Sequence, residues 1–166
     1  MIHLNSKYTK MKEDLYKQKE VYNYVEDAPT AYYSGNAAIP LYDMTSFQKM
    51  RIVRKGVSKT YLEKFKQTAE LDYDSLAAAL SVTRATLINK KGDDTFSDQI
   101  SERIVALADL YSYGYEVFGD NSNFHSWMFA PNQALGGLTP FSIIDNQYGR
   151  QEVHNLLGRI EYGVYS

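Results

Sequence analysis

Residues 75–92, SLAAALSVTRATLINKKG, form the stretch that most narrows the fold of this chain. Two short helical runs flank Ser81-Val82, which reads as a tight turn. Ala77 is a small residue on the first run, where a second helix must pack close. Leu76, Leu80, Val82 and Leu87 supply apolar contacts around the turn. Small and apolar residues in that order predict a helix-turn-helix, with Ser81 standing where glycine is often found.

The chain around this segment is helical almost without interruption. Ser46 is read as the cap of a helix that stops at Gly56. Ser58 caps the next, with Tyr61, Leu62, Phe65 and Ala69 facing inward. Residues 74–80 and 83–91 are the two motif helices, and Gly92 ends the second. Ser97 opens a long helix in which Ile100, Ile104, Leu107, Ala108, Tyr111, Tyr115 and Phe118 recur at spacings of three and four, and Gly119 stops it. Residues 123–128 form a short helix containing Trp127, read as a core residue. Pro131-Asn132 and Gly136-Gly137 break the chain, and Thr139-Pro140 reads as a cap with proline in the first turn. The last helix covers 147–162, with Val153, Leu156, Leu157 and Ile160 on one stripe and Gly163 as its stop.

No strand-like alternation occurs, so the fold class is all-α: a helix-turn-helix module packed on a small helical C-terminal domain. Residues 1–45 are read as an N-terminal extension, with a polar helix at 6–26 and a linker or strap at 27–45. The helix-turn-helix domain is placed at 46–96 and the C-terminal domain at 97–166.

Composition excludes several functions. The 166 residues include no cysteine, so disulfides, thiol nucleophiles and cysteine-based zinc sites are out. His3, His125 and His154 are too scattered to imply a metal site, and no cofactor is implied. No apolar run approaches the roughly 20 residues of a membrane span. The N-terminus lacks a signal-peptide core, so the expected compartment is the cytoplasm.

Charge is uneven. Residues 46–92 carry 10 basic and 4 acidic groups, whereas residues 93–166 carry 3 basic and 10 acidic ones. Two surfaces with different partners follow from that asymmetry. The second motif helix is expected to expose Thr83, Arg84, Thr86, Asn89, Lys90 and Lys91, types that reach phosphates and base edges. Arg51, Arg54, Lys55, Lys59, Lys64 and Lys66 would add salt-sensitive affinity for nucleic acid. One such motif binds weakly alone, so a homodimer on two half-sites of operator DNA is expected.

The C-terminal stretch has no acid–base pair in register, nucleophile elbow, phosphate loop or metal spacing, so no catalytic residue is assigned and the chain is read as a non-enzyme. Its residues carry a resemblance instead. Trp127, Pro131-Asn132, Leu135-Gly136-Gly137, Thr139-Pro140, Ile144-Asp145, Gly149, Val153 and the ending Leu157-Gly158-Arg159-Ile160-Glu161-Tyr162-Gly163-Val164-Tyr165-Ser166 follow one order. That order resembles the Xre/MbcA/ParS-type antitoxins, over roughly residues 50–166. The resemblance implies a type II toxin–antitoxin system whose partner is a RES-domain toxin that destroys NAD. It implies neutralisation by covering the toxin's active-site cleft, and repression of the operon through the helix-turn-helix. It places Arg159, Glu161, Tyr162, Val164, Tyr165 and Ser166 on or near the toxin. The competing reading is a stand-alone helix-turn-helix transcription regulator whose C-terminal domain senses a ligand or another protein.

Overall fold

The computed structural model describes residues 41–163. The helix expected at 6–26, most of the strap at 27–45, and Val164, Tyr165 and Ser166 lie outside the described residues. Within them the order is a 3-10 turn at Leu41–Asp43, then α1 (Ser46–Lys55), α2 (Lys59–Thr68), α3 (Tyr73–Ala79), α4 (Arg84–Ile88), α5 (Asp98–Phe118) and α6 (Asn121–Phe129). Two 3-10 turns follow, at Gln133–Leu135 and Pro140–Ile143, and α7 (Gln147–Glu161) closes the order.

Side-chain oxygens start six of these seven α-helices: Thr45, Ser58, Asp72, Thr83, Asp120 and Asn146 each accept from a backbone N–H of the first turn. Thr45, not Ser46, caps α1. It forms a capping box in which Gln48 Oε1 accepts from the Thr45 N–H at 2.7 Å. Gly56 and Gly119 stop α1 and α5 as expected.

The fold is arranged around α5, which packs against α1, α6, α7 and the Leu41–Asp43 turn. Neighbours on several sides explain why Ile104, Val105, Leu107, Ala108, Leu110 and Tyr111 are all buried, a wider arc than a single stripe provides. Leu41 and Met44, at the end of the expected strap, are buried too. Lys49 of α1 ties to Asp109 of α5 at 2.8 Å.

Two glycines are required by close approach. A Cβ on Gly114 of α5 would fall 2.2 Å from the Phe124 ring, so the bare backbone lets α6 lay that ring on α5. A Cβ on Gly149 of α7 would fall 1.5 Å from the Ile143 carbonyl oxygen. The backbone of the Pro140–Ile143 turn therefore touches α7 directly.

The segment between α4 and α5 is fastened to the start of α2. Lys59 N donates to Asp94 O and Phe96 N to Val57 O, both at 2.9 Å. Val57 N in turn donates to the buried Ser101 hydroxyl at 2.9 Å. The only extended pairing among the described residues is the isolated bridge Ser58–Thr95.

Candidate functional site

The turn between α3 and α4 is built by backbone hydrogen bonds. Val82 N donates to Ala77 O and Ser81 N to Ala78 O, each at 3.0 Å. This six-to-one and five-to-two pair is a Schellman ending, which needs a left-handed residue after the helix. Ser81 supplies it with a φ of 49°. Leu76, Ala77, Leu80 and Leu87 are buried, as the motif requires. The helix-turn-helix read from the sequence is present.

Its second helix differs from the expectation. α4 spans only Arg84–Ile88, so Asn89, Lys90 and Lys91 lie beyond its end and Thr83 is its cap. The cause is the tether to α2. Gly92 O and Asp94 O accept from Thr60 N and Lys59 N, which turns the chain away before another helical turn can form. Lys91 N donates to the Asp94 carboxylate at 3.1 Å, closing that turn locally. Arg84 is exposed and donates to both oxygens of Asp74 at 3.1 and 2.9 Å. The Thr83 and Thr86 hydroxyls lie 2.8 Å apart and bond each other. Asn89 and Lys91 are exposed, while Thr86 and Lys90 are half-buried.

The cation inventory is also corrected at Lys59. Its side chain is buried, and the ammonium donates to Leu87 O at 2.8 Å and pairs with Glu63 at 2.6 Å. Its third partner is the Tyr73 hydroxyl at 2.5 Å, and that hydroxyl also donates to Glu63. Burial opposes the charge on both Lys59 and Glu63. Their mutual hydrogen bonds and those with Tyr73 prevail, raising the ammonium above its ordinary value and lowering the carboxyl below its own. Lys59 is a clamp across α2, α3 and the end of α4, not a phosphate contact. Lys66 stands over the Tyr73 ring at 5.0 Å. Arg51, Arg54 and Lys55 on α1 and Lys64 on α2 are exposed. Over residues 70–94, Glu70, Asp72, Asp74, Asp93 and Asp94 outnumber Arg84, Lys90 and Lys91. The basic excess of the segment therefore resides in α1 and α2.

In the C-terminal part, Phe124 and Met128 fill the core. Trp127, read as a core residue, is only half-buried, tilted on Phe118 at 5.5 Å. The i, i+4 pair Phe124 and Met128 takes the inward line of α6, and Trp127 falls on its flank. Phe129 and Leu138 are exposed, and Phe129 stacks on Phe141 at 4.5 Å.

The last turns of α7 gather the other predicted residues. Arg159 pairs with Glu152 at 3.1 Å. Glu161 accepts from the Tyr113 hydroxyl of α5 at 2.6 Å, and the Tyr113 ring stacks on His154 at 4.6 Å. Burial and then Glu161 push the Tyr113 hydroxyl well up from its ordinary value, so it stays a donor. Tyr162 is 78% exposed just past the helix end. Arg159, Glu161 and Tyr162 thus share one end of the fold, while Val164, Tyr165 and Ser166 lie outside the described residues. Composition signals neither Tyr113 nor His154 as partners there. Their link to α7 comes from tertiary packing. Among the described residues no group of three His, Asp or Glu side chains is placed to hold a metal ion, and no helix is long and apolar enough to cross a membrane.

Comparison with known proteins adds to this geometry. A model of the antitoxin Xre-like helix-turn-helix domain matches residues 49–109. A model of the antitoxin Xre/MbcA/ParS C-terminal toxin-binding domain matches residues 114–163. An antitoxin Xre of Photorhabdus laumondii is 30% identical over 117 residues, covering 69% of this chain and 79% of that protein. An antitoxin Xre of Yersinia enterocolitica is 27% identical, covering 69% and 78%. A protein of a Sphingobium strain named Prs ADP-ribosylating antitoxin is 28% identical over 137 residues, covering 76% and 86%.

Proposed function

The chain belongs to the Xre/MbcA/ParS-type antitoxins, and from that premise we propose that it neutralises a RES-type, NAD-degrading toxin by covering the active-site cleft. We also propose that it represses its own operon, as a homodimer, through the helix-turn-helix. As an antitoxin carrying that motif it is a regulatory binding protein and not an enzyme.

The observation that carries the toxin half is the end of α7. An exposed tyrosine, Tyr162, follows a last turn fixed to α5 by the Tyr113–Glu161 bond and braced by Arg159–Glu152. A large ring on a rigid base is the kind of anchor that contributes most at interfaces, because little side-chain freedom is lost on docking. Val164, Tyr165 and Ser166 would continue that anchor into the cleft. NAD chemistry in the partner accords with the Sphingobium relative's name, because ADP-ribosylation draws its ADP-ribose from NAD.

The operator half rests on the Schellman turn that presents α4, with Thr83, Arg84, Thr86, Asn89, Lys90 and Lys91 as its contacts. The exposed cations of α1 and α2 would supply the salt-sensitive part of the affinity. Its dimeric form follows from the weakness of a single motif.

The test co-expresses the tagged chain with the product of the neighbouring open reading frame and follows capture, growth and cellular NAD. The full chain should capture that product and restore growth and NAD. A form with Tyr162→Ala and residues 164–166 deleted should do neither. Capture and rescue by that form would refute the assignment of the α7 end. For the operator half, Arg84→Ala with Lys90→Ala should weaken binding to upstream DNA in an anisotropy titration. Unchanged affinity would mean that α4 is not the reader.

A further inference from the structure

A second concave surface begins at His154, beside the α7 end, and runs toward the start of α7. The groove between α5 and the start of α7 has a volume of about 300 Å³ and is lined by Glu102, Arg103, Asp109, Arg150, Gln151 and His154, with Gln147 at the helix start. That volume suits a small molecule. Two of its walls are guanidinium groups. Arg103 donates to Leu80 O at 3.1 Å and Ser81 O at 3.0 Å, and Arg150 donates to Ile144 O at 2.9 Å. Both are therefore held in place by neutral backbone carbonyls. Neither makes a salt bridge among the described residues.

Two oriented like charges beside one groove repel, and an anion between them relieves that. The repulsion is felt: burial first, then Arg103, lowers the proton affinity of Arg150, and Asp145 and Glu102 oppose this in smaller measure. Of the two acids in the lining, Asp109 is neutralised by Lys49 at 2.8 Å, and Glu102 is exposed at the rim. Gln147 and Arg150 also belong to the first turn of α7, a 15-residue helix with no acidic residue in that turn. The positive end of its dipole adds to the same field. Gln151 donates one amide hydrogen to Asn155 Oδ1 at 3.1 Å and has a second to offer, and His154 adds an imidazole.

We propose that this α5–α7 groove binds a small phosphorylated molecule, with the forks of Arg103 and Arg150 gripping the phosphoryl group. Guanidinium forks match phosphoryl oxygens two at a time, whereas an ammonium offers only a point charge. Because Arg103 also holds the carbonyls of the helix-turn-helix turn, and Ser81 Oγ donates to Asp145 O at 2.7 Å beside Arg150's own anchor, the occupant would sit at the junction of the two functional parts.

The experiment is an NMR titration of the full chain at constant ionic strength, with inorganic phosphate, adenosine monophosphate and acetate as probes. Phosphate and the nucleotide should give saturable shifts at the Arg103 and Arg150 side-chain Nε–H and the Gln147 and Gln151 amides, with a Kd below about 1 mM. Arg150→Lys, which keeps the charge, should weaken binding about tenfold while leaving the rest of the spectrum in place. Tighter nucleotide than phosphate binding would identify a free nucleotide as the source of the phosphoryl group, and equal binding would identify free phosphate. Acetate binding as tight as phosphate, shifts scattered over the α1 cations, or no saturation would each overturn the proposal.

Discussion

Lys59→Met is a direct test of the buried clamp. The substitution keeps the length and apolar stem of the side chain but removes the ammonium. Leu87 O, 2.8 Å away and buried, then has no donor at the end of α4. An unsatisfied buried carbonyl costs about 1–3 kcal/mol. The ion pair with Glu63 adds less than about 1 kcal/mol, because Glu63 is one-third exposed and water screens it. The sum is about 3 kcal/mol, or roughly 10 °C in Tm for a folded unit of this size. Urea unfolding followed by circular dichroism gives the free energy. The pH profile supplies a second reading. Because the folded-state pKa of Glu63 is lowered from its ordinary 4.5, its contribution is present above that value and is lost as pH falls through the folded pKa. The wild type should lose that contribution on acidification, and Lys59→Met should lose less, because only Tyr73 and Lys66 still lower its Glu63 carboxyl. If Lys59 instead contacts phosphate, the variant will unfold at the wild-type urea midpoint while its DNA affinity and salt slope fall. That result would refute the clamp.

Four further outcomes are expected. Gly149→Ala should destabilise by about 3 kcal/mol in the same urea assay, because the added Cβ meets a backbone oxygen that cannot swing aside. Tyr111→Phe should raise stability by about 1 kcal/mol, read as Tm. The Tyr111 hydroxyl is buried without a hydrogen-bond partner, and burial pushes its pKa far up, whereas its ring makes edge contacts with Phe65, Tyr115 and Phe124 that phenylalanine keeps. Asp74→Asn should tighten DNA binding about threefold at low salt in anisotropy titrations, because it releases Arg84 and removes a negative charge beside it. Glu161→Gln should leave the unfolding free energy within about 1 kcal/mol of the wild type, since the Tyr113 bond there is exposed, yet weaken capture of the toxin partner if that bond positions Tyr162.

What the linear chain revealed, and what it hid, divides along a physical line. Helix starts and stops were legible because caps act within three or four residues. Ser58 and Thr139 meet their N–H partners locally, and Gly56 and Gly119 end helices by their own backbone freedom. The turn at Ser81 was legible for the same reason, with its small, apolar and polar residues at set offsets. The order of motifs from Trp127 to Gly163 was enough to point to the family.

Properties that depend on distant partners were not legible. The length of α4 was overestimated because α2, two helices earlier, takes the carbonyls of Gly92 and Asp94. Lys59 was counted as a surface cation because nothing in its neighbours announces that Leu87, 28 residues on, receives its ammonium. Trp127 looked like core because it heads a short amphipathic turn, yet Phe124 and Met128 already occupied the inward line. The Tyr113–Glu161 bond spans 48 residues and the Arg103 anchor 22 or more. By itself the sequence determined the order of the helices, the motif and the family, since these rest on local geometry and on residue order. Only the tertiary structure decided which charges are spent inside the fold and which face solvent, because desolvation and pairing depend on what packs against each group.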